Sequence, residues 1–367
     1  MGVDSLTREM AVVLRQYHVH PNRIRRSERG VLVTVNQEVG WLQPWSRRID
    51  AQRYVRVYRL LAGQDSTIVL PLIQTKKRQD AVFTSRRAYT FSRWPEHAEQ
   101  LGLPRSEEEF GRWGEGLGQV HRLLARAGEA GRFNGAPSDR SADTFPFAGW
   151  LETMRQRRQK ILDVRQQWLA TDHLPAEEQL FLRNIPPMME RLESAIGLLN
   201  DLQRRAVPPF GGWTLGDLKD SFLSLPSGRL KVAPWKRWLP GHGLSDLGRL
   251  LLLASEMPDP IRAAKAAVDG FEREWPLTAE AFQALLAYML FPHALWSLVH
   301  QALAAPKRPS ARLDGPTSTY PQLPVDLQQL RDIYRQEQHR RVLLTWLNQQ
   351  FSQRRAPGAV VRRLTES

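Results

Sequence analysis

Apolar residues recur at two different spacings along the chain, and the spacing changes between residues 95 and 106. Near the start, REMAVVLRQYHV has its apolar residues at helical spacing, and the stretches VLVTV and GWLQPW that follow are typical of strands. Helical spacing returns in RRIDAQRYVRVYRLLAG, and TIVLPLIQT, AVFT and AYTFSRW are typical of further strands. The first part of the chain therefore predicts a small sheet crossed by one helix.

From Ser106 onward, long amphipathic patterns predict helices. SEEEFGRWGEGLGQVHRLLARAG begins with the capping pair Ser106 and Glu109, and its apolar residues share one face. Two polar, Pro-rich stretches, NGAPSDRSADTFPFAG and PKRPSARLDGPTSTYPQLP, predict surface loops between later helices. The pattern as a whole predicts an α+β protein of two lobes, with a small sheet lobe over residues 1–95 and a mainly helical lobe over residues 96–367.

Composition limits the functions that the chain can have. The 367 residues contain no cysteine, which excludes disulfides, thiolate zinc sites and a cysteine nucleophile. The formal net charge of +14 favours acidic partners, but the Arg and Lys residues are dispersed along the chain, so nucleic-acid binding is an alternative and not the main prediction. The beginning of the sequence lacks a signal peptide and no apolar run reaches membrane-spanning length, which predicts a cytoplasmic protein.

Candidate chemistry concentrates in residues 213–238, within the stretch GGWTLGDLKDSFLSLPSGRLKVAPWKRW. FLSL and RLKVAPW are short apolar runs on either side of the turn signal PSG, so a two-stranded hairpin is expected. Asp217 would lie in the loop just before the first strand of this catalytic-like hairpin, and Pro234 near the end of the second.

This arrangement resembles the catalytic segment of the aminoglycoside, choline and homoserine kinase superfamily, whose fold is related to that of protein kinases. Its usual form is HGDxxxxN, a hairpin, and then IDW or IDF. The strand-like YTFSRW, the helix GLGQVHRLLA and the later LSDLGRLL also resemble the order of elements in that superfamily. The resemblance implies a two-lobed fold in which the loop Asp acts as the base, while the Asn and the later Asp hold magnesium on ATP.

Several residues depart from that pattern. Asp217 occupies the position of the base, but Phe222 replaces the metal-binding Asn, Pro234 replaces the metal-binding Asp, and Gln43 stands where the nucleotide-anchoring Lys should fall. Phe and Pro offer no side-chain oxygen, and Gln carries no charge. The resemblance therefore implies a degenerate site with no metal and no cofactor, unless Asp220, Asp246 or Ser221 binds a metal in a shifted geometry.

Within the superfamily, the bacterial spore-coat CotS-like branch is the most similar. Its members have a strand resembling VLVTV followed by a motif like GWLQ, and a stretch near the C-terminus like PLTAEAFQALLAYMLFPHALWSLVHQAL. This likeness implies a role in spore coat assembly, with other coat proteins as partners and the spore coat as a possible location.

The sequence thus predicts a pseudokinase, meaning a kinase-like binding or scaffold protein without phosphotransfer activity. Trp235, Lys236, Arg237 and Trp238 are a candidate partner surface, because Trp and Arg often anchor protein interfaces. An alternative is an atypical small-molecule kinase that uses ATP and magnesium with Asp217 as its base.

Overall fold

The computed structural model describes residues 3–129, 148–171, 174–205, 212–305, 308–309 and 319–355. It is an α+β structure with a small antiparallel sheet near the N-terminus and a larger helical part, as the sequence predicts. The two predicted Pro-rich loops lie mostly outside the described residues.

The sheet part begins with a helix and then forms five antiparallel strands. Its elements are α1 (Val3–Gln16), β1 (Arg23–Arg26), β2 (Val31–Val35), β3 (Glu38–Trp45), α2 (Arg48–Gln64), a 3-10 helix (Ser66–Ile68), β4 (Ala81–Phe83) and β5 (Ala88–Arg93). The strands lie in the order β1-β2-β3-β5-β4, with Val31 opposite Leu42 and Leu42 opposite Phe91. Apolar residues of α1, among them Val13 and Leu14, pack on one face of this sheet.

The stretch TIVLPLIQT is not a strand, so that prediction is wrong. It begins with the 3-10 helix, and its remaining residues make a single isolated bridge, between Leu72 and Ser92. Pro71 explains the difference, because proline has no N–H to donate to a ladder. The stretch is nevertheless buried at Ile68, Val69 and Leu70, which accounts for its strand-like apolar pattern.

The helical part contains eight helices among the described residues. They are α3 (Glu107–Glu129), α4 (Ala148–Leu169), α5 (Ala176–Arg204), α6 (Leu244–Ala254), α7 (Pro260–Glu274), α8 (Ala279–Leu290), α9 (His293–Ala304) and α10 (Leu327–Arg355). One large apolar cluster joins these helices to α2 of the sheet part. Helix α3 packs closely along α7, and α8 lies between α5, α6 and α10.

Seven further short strands lie outside the five-stranded sheet among the described residues. They are β6 (Glu99–Gln100), β7 (Trp213–Thr214), β8 (Phe222–Ser224), β9 (Leu230–Val232), β10 (Leu239–Pro240), β11 (Arg308–Pro309) and β12 (Thr319–Tyr320). The predicted hairpin is present as β8 and β9, and β6 adds a third strand beside β8. β7 pairs with β10, so the two ends of the hairpin segment meet, and β11 pairs with β12.

Among the described residues, no single helix is long and apolar enough to cross a membrane. Helices α8 and α9 pass the length and composition test only as a pair, and that pair is bent by 47°.

Candidate functional site

The loop before β8 is held in place by a buried carboxylate. Asp246 of α6 accepts the backbone N–H of Leu215 at 2.8 Å, and its other oxygen accepts the hydroxyl of Thr214. The side chain of Arg249 contacts the same carboxylate at 2.7 Å, and His121 of α3 contacts it at 3.0 Å. Asp246 thus fixes the backbone that leads into the turn at Gly216, whose φ is +75°.

The ionisation of Asp246 follows from these contacts. Burial by itself would raise the pKa of Asp246, but the hydrogen bond and charge of His121, the charge of Arg249 and the hydroxyl of Thr214 outweigh it, so the pKa lies below the ordinary value. The carboxylate is therefore ionised and fully engaged with the protein. Both of its oxygens accept hydrogen bonds from protein groups.

Asp217, the candidate base, is an exposed residue of the loop that precedes β8. One of its carboxylate oxygens accepts the backbone N–H of Lys219 at 2.9 Å. Lys236 lies near it and is only 5% exposed. Burial lowers the pKa of Lys236 to about 8, although the negative charge of Asp217 acts in the opposite direction. An internal lysine thus interacts with the candidate base.

Phe222 does not face the space between the sheet and the hairpin. Its ring is fully buried and meets Trp113 of α3 edge-on, with ring centroids 5.2 Å apart. The neighbouring residue Leu223 points the other way and packs against the sheet part. Residues 222 and 223 point to opposite faces because side chains alternate along a strand.

Gln43 and Pro234 also lack the chemistry of the positions they occupy. Gln43 is buried, accepts the indole N–H of Trp41 at 2.9 Å and donates to the carbonyl of Pro44 at 2.9 Å. Pro234 is buried and has neither a side-chain oxygen nor an N–H. Gln43 therefore serves the local structure of β3 and offers no cation to a phosphate.

Three indoles fill the space between the sheet and the hairpin. Trp41 of β3 lies 4.8 Å from Trp235 and 5.2 Å from Trp94 between ring centroids, and Trp94 and Trp235 are stacked at 6.0 Å. Leu223 and Ala233 of the hairpin segment pack in the same apolar cluster. We call these five residues the indole cluster.

The turn between β1 and β2, residues 27–30, contacts the edge of the indole cluster, and we call this turn the strap. Arg29, in the turn between β1 and β2, forms an ion pair with Asp220, and the side-chain amide of Gln100 donates to the same carboxylate. The guanidinium of Arg29 also lies 6.0 Å from the ring centroid of Trp235. Asp220 has a φ of +58°, and its carbonyl accepts the indole N–H of Trp235 at 3.0 Å.

These contacts do not fit a magnesium nucleotide. Magnesium needs oxygen ligands, and the carboxylates of Asp220 and Asp246 are both occupied by protein groups. Within the described part of the chain, no group of three His, Cys, Asp or Glu residues could hold a metal ion.

The candidate partner surface is largely internal. Trp235, Lys236 and Trp238 are 9%, 5% and 1% exposed, whereas Arg237 is exposed. Arg237 contacts Asp50 of α2 at 3.6 Å and the hydroxyl of Ser46 at 3.4 Å. Burial of three of the four side chains differs from what an interface anchor requires, because an anchor must be accessible to its partner.

Sequence reasoning did not single out Arg29, Trp41, Trp94 or Leu223. Two signals in the sequence pointed to some of them. Trp41 lies two residues before Gln43 on the same strand, so both side chains share a face. The same alternation separates Leu223 from Phe222. Arg29 carried no such signal, because its contact with Asp220 joins residues that are far apart in sequence.

The backbone arrangement is similar to that of solved small-molecule kinases. An aminoglycoside phosphotransferase from Alicyclobacillus acidocaldarius superposes with a TM-score of 0.67 at 16% identity, over 93% of this chain and 96% of that one. Amicoumacin kinase, in complex with AMP-PNP, Ca²⁺ and Ami, gives 0.55 at 10% identity over 93% of each chain. A microcompartment-associated aminopropanol kinase gives 0.54 at 13% identity, over 94% and 98%.

At these identities the likeness establishes the fold alone. The fold predicted from the sequence, a two-lobed α+β structure of the aminoglycoside phosphotransferase type, is confirmed by these neighbours. A scan of family models and a search of curated proteins give no match to the sequence.

Proposed function

We propose that this protein is a kinase-like binding or scaffold protein without phosphotransfer activity. The observation that carries the proposal is the indole cluster, in which Trp41, Trp94 and Trp235 pack together between the sheet and the hairpin. Closely packed aromatic rings leave no room for a further ring system unless they move apart, and moving them exposes large apolar surfaces.

Electrostatics supports the same proposal. Phosphoryl transfer relies mainly on positioning and on neutralising the charge of the transferred group. In this chain Gln43 is neutral, Pro234 has no ligand atom and Phe222 is packed against Trp113. Asp220, the acidic residue closest in sequence to the lost Asn position, is paired with Arg29.

Nucleotide binding and turnover test the proposal directly. We expect ATP with magnesium to leave the Tm of the wild-type protein unchanged and to be hydrolysed no faster than in buffer. Spectinomycin phosphotransferase, a solved neighbour whose structure contains ADP, serves as the positive control. Magnesium-dependent turnover that Asp217→Asn abolishes would contradict the proposal.

A second experiment separates a filled cleft from missing metal ligands. Adenosine has no phosphate and needs no metal, so only the available space limits its binding. We expect it to bind Trp41→Ala measurably and the wild type not at all. Trp45→Ala is the matched control, because the indole of Trp45 is also buried in β3 but hydrogen-bonds Thr90 outside the cluster. Equal behaviour of the two variants would show that the indoles are not what excludes the nucleoside.

One observation favours the alternative of an atypical small-molecule kinase. The carboxylate of Asp217 remains exposed, and the neighbours of this fold include kinases of small molecules. Under this alternative Asp217 would accept a substrate hydroxyl proton. The turnover experiment distinguishes the two functions, since Asp217→Asn matters only for the kinase.

The remaining functional ideas rest on sequence alone. A role in spore coat assembly stays a prediction from the CotS-like resemblance, and expression timed to sporulation would support it. Polyanion binding stays a prediction from the net charge of +14. Affinity for duplex DNA that persists at moderate salt would favour it, because purely electrostatic binding falls steeply as salt rises.

A further inference from the structure

A cationic groove lies in the sheet part and is lined by residues other than those of the indole cluster. It runs between α2 and the segment that leads into β4, and it is an open cavity of about 520 Å³. Arg56 and Arg59 line it from the helix, and Arg78 lines it from the segment before β4. Residues 76–78 have the sequence KKR, and Arg78, at the end of this run, lies in the groove.

Positive charge in the groove exceeds negative charge. Asp80 is the acidic residue of the lining, and it is 7% exposed. Its carboxylate already accepts from Arg59 at 2.7 Å and from the amide of Gln74 at 3.0 Å. Arg78 lines the same cavity and is exposed, and Lys76 and Lys77 are exposed next to it in sequence. The groove is thus suited to a ligand that brings negative charge.

The groove also has an apolar side. Val55 and Leu60 of α2 and Phe83 of β4 line it, and the ring of Phe83 is 44% exposed. The guanidinium of Arg48 lies 6.0 Å from that ring. β4 is the outermost strand of the sheet, because it pairs only with β5 within the sheet order. Apolar side chains beside arginines match a ligand that combines acidic groups with an apolar anchor.

We propose that this groove docks an acidic peptide segment that carries one aromatic or large aliphatic anchor. The acidic side chains would pair with Arg78, and the anchor would pack on Val55, Leu60 and Phe83. Exposed apolar surface next to Arg is typical of protein interfaces, where Arg and aromatic residues are enriched. The inference extends the proposed function, because it gives the scaffold a place and a chemistry for its partner.

Fluorescence anisotropy with a defined peptide tests the inference. The probe is a fluorescein-labelled peptide of about twelve residues, all Asp or Glu except for one central Phe. We expect it to bind the full chain, and we expect Arg78→Glu to weaken binding by about tenfold, since a repulsive charge replaces an attractive one. Phe83→Ala should weaken binding severalfold. Both residues are exposed, so neither change should disturb the fold.

Controls separate this groove from a general charge effect. Arg331→Glu changes an exposed arginine on α10 in the helical part by the same two charge units, and it should leave the affinity within about twofold. A peptide with Ala in place of Phe should bind several times more weakly. The inference is overturned if the labelled peptide does not bind, if Arg331→Glu weakens binding as much as Arg78→Glu, or if the Ala peptide or a single-stranded DNA of equal charge binds as tightly.

The test is independent of the proposal of a non-catalytic protein. ATP turnover would contradict that proposal without changing the peptide affinity. Loss of the peptide signal would overturn the groove assignment, and it would leave the nucleotide experiments as they stand.

Discussion

Lys236 has an unusual environment for a lysine. Its ammonium group lies beside the loop that precedes β8, where it contacts the carbonyl of Lys219 at 3.4 Å. Burial disfavours the charged form, and the positive charges of Arg29 and Arg249 act in the same direction. Asp217 and Asp246 oppose this effect without cancelling it. The folded protein therefore stabilises the charged form of Lys236 less well than water does.

This environment predicts a stability gain at alkaline pH. The pKa of Lys236 falls from 10.5 to about 8 on folding, so between these values the unfolded chain alone binds the proton. Stability rises with pH wherever the unfolded state binds more protons, so the wild type should gain stability relative to Lys236→Met between pH 8 and 10.5. The gain is at most about 3 kcal/mol, from 1.36 kcal/mol per unit.

Urea unfolding at pH 7 and pH 10 measures this difference. Lys219→Met is the matched control, because it removes an exposed lysine of the same loop but keeps Lys236, so it should gain stability with pH as the wild type does. A wild type and a Lys236→Met variant that change in parallel with pH would show that the ammonium group is not strained by burial.

Helices α3 and α7 approach each other closely through glycine. A Cβ at Gly114 would overlap the carbonyl oxygen of Ala267, and a Cβ at Gly270 would overlap the carbonyl oxygen of Gly111. These are backbone atoms, so no side-chain rotation can relieve the overlap. Helix α3 also carries His121, which contacts Asp246, and Trp113, which contacts Phe222. The glycines therefore help to set the position of the candidate site.

The close approach predicts opposite effects of the same substitution at two glycines. Gly114→Ala should destabilise the protein by about 3 kcal/mol, because overpacking forces the two helices apart. Gly197→Ala should stabilise it by up to about 1 kcal/mol, since alanine is the better helix former and no atom lies within 4 Å of a Cβ there. Denaturant unfolding compares the two free energies. Destabilisation of similar size at both sites would contradict the role of Gly114 in packing.

The spacing of apolar residues predicted most strands and helices, but it did not predict the direction in which individual side chains point. The helical stripe of α3 and the hairpin at β8 and β9 followed from spacing and turn residues. The stretch TIVLPLIQT before β4 was wrongly predicted to be a strand, because burial produces the same apolar run in an irregular segment as in a strand. The outward or inward direction of Trp235 could not be read from sequence, since a Trp suits both an interface and a core.

At the scale of the whole molecule, the sheet and helical parts are tied together at several points. The ammonium of Lys231 in β9 donates to the carbonyl of Val69 at 3.1 Å. Arg237 reaches Asp50 of α2, and Arg29 reaches Asp220. The indole cluster fills the space between these ties. Together they favour one closed arrangement of the two parts.

Breaking the strap should loosen the sheet part without opening a nucleotide site. In Arg29→Ala, the carboxylate of Asp220 loses its ion pair while the indole cluster remains, so we expect faster amide hydrogen exchange in β1 and β2 and unchanged exchange in α3 and α7. Arg25→Ala, an exposed arginine of β1, is the matched control and should leave exchange near the wild-type level. Hydrogen exchange with mass spectrometry resolves these segments.

The Arg29→Ala variant should still fail to bind ATP, because Trp41, Trp94 and Trp235 continue to occupy the space. Gain of ATP binding by Arg29→Ala would mean that the strap, and not the indoles, is what keeps the cleft closed.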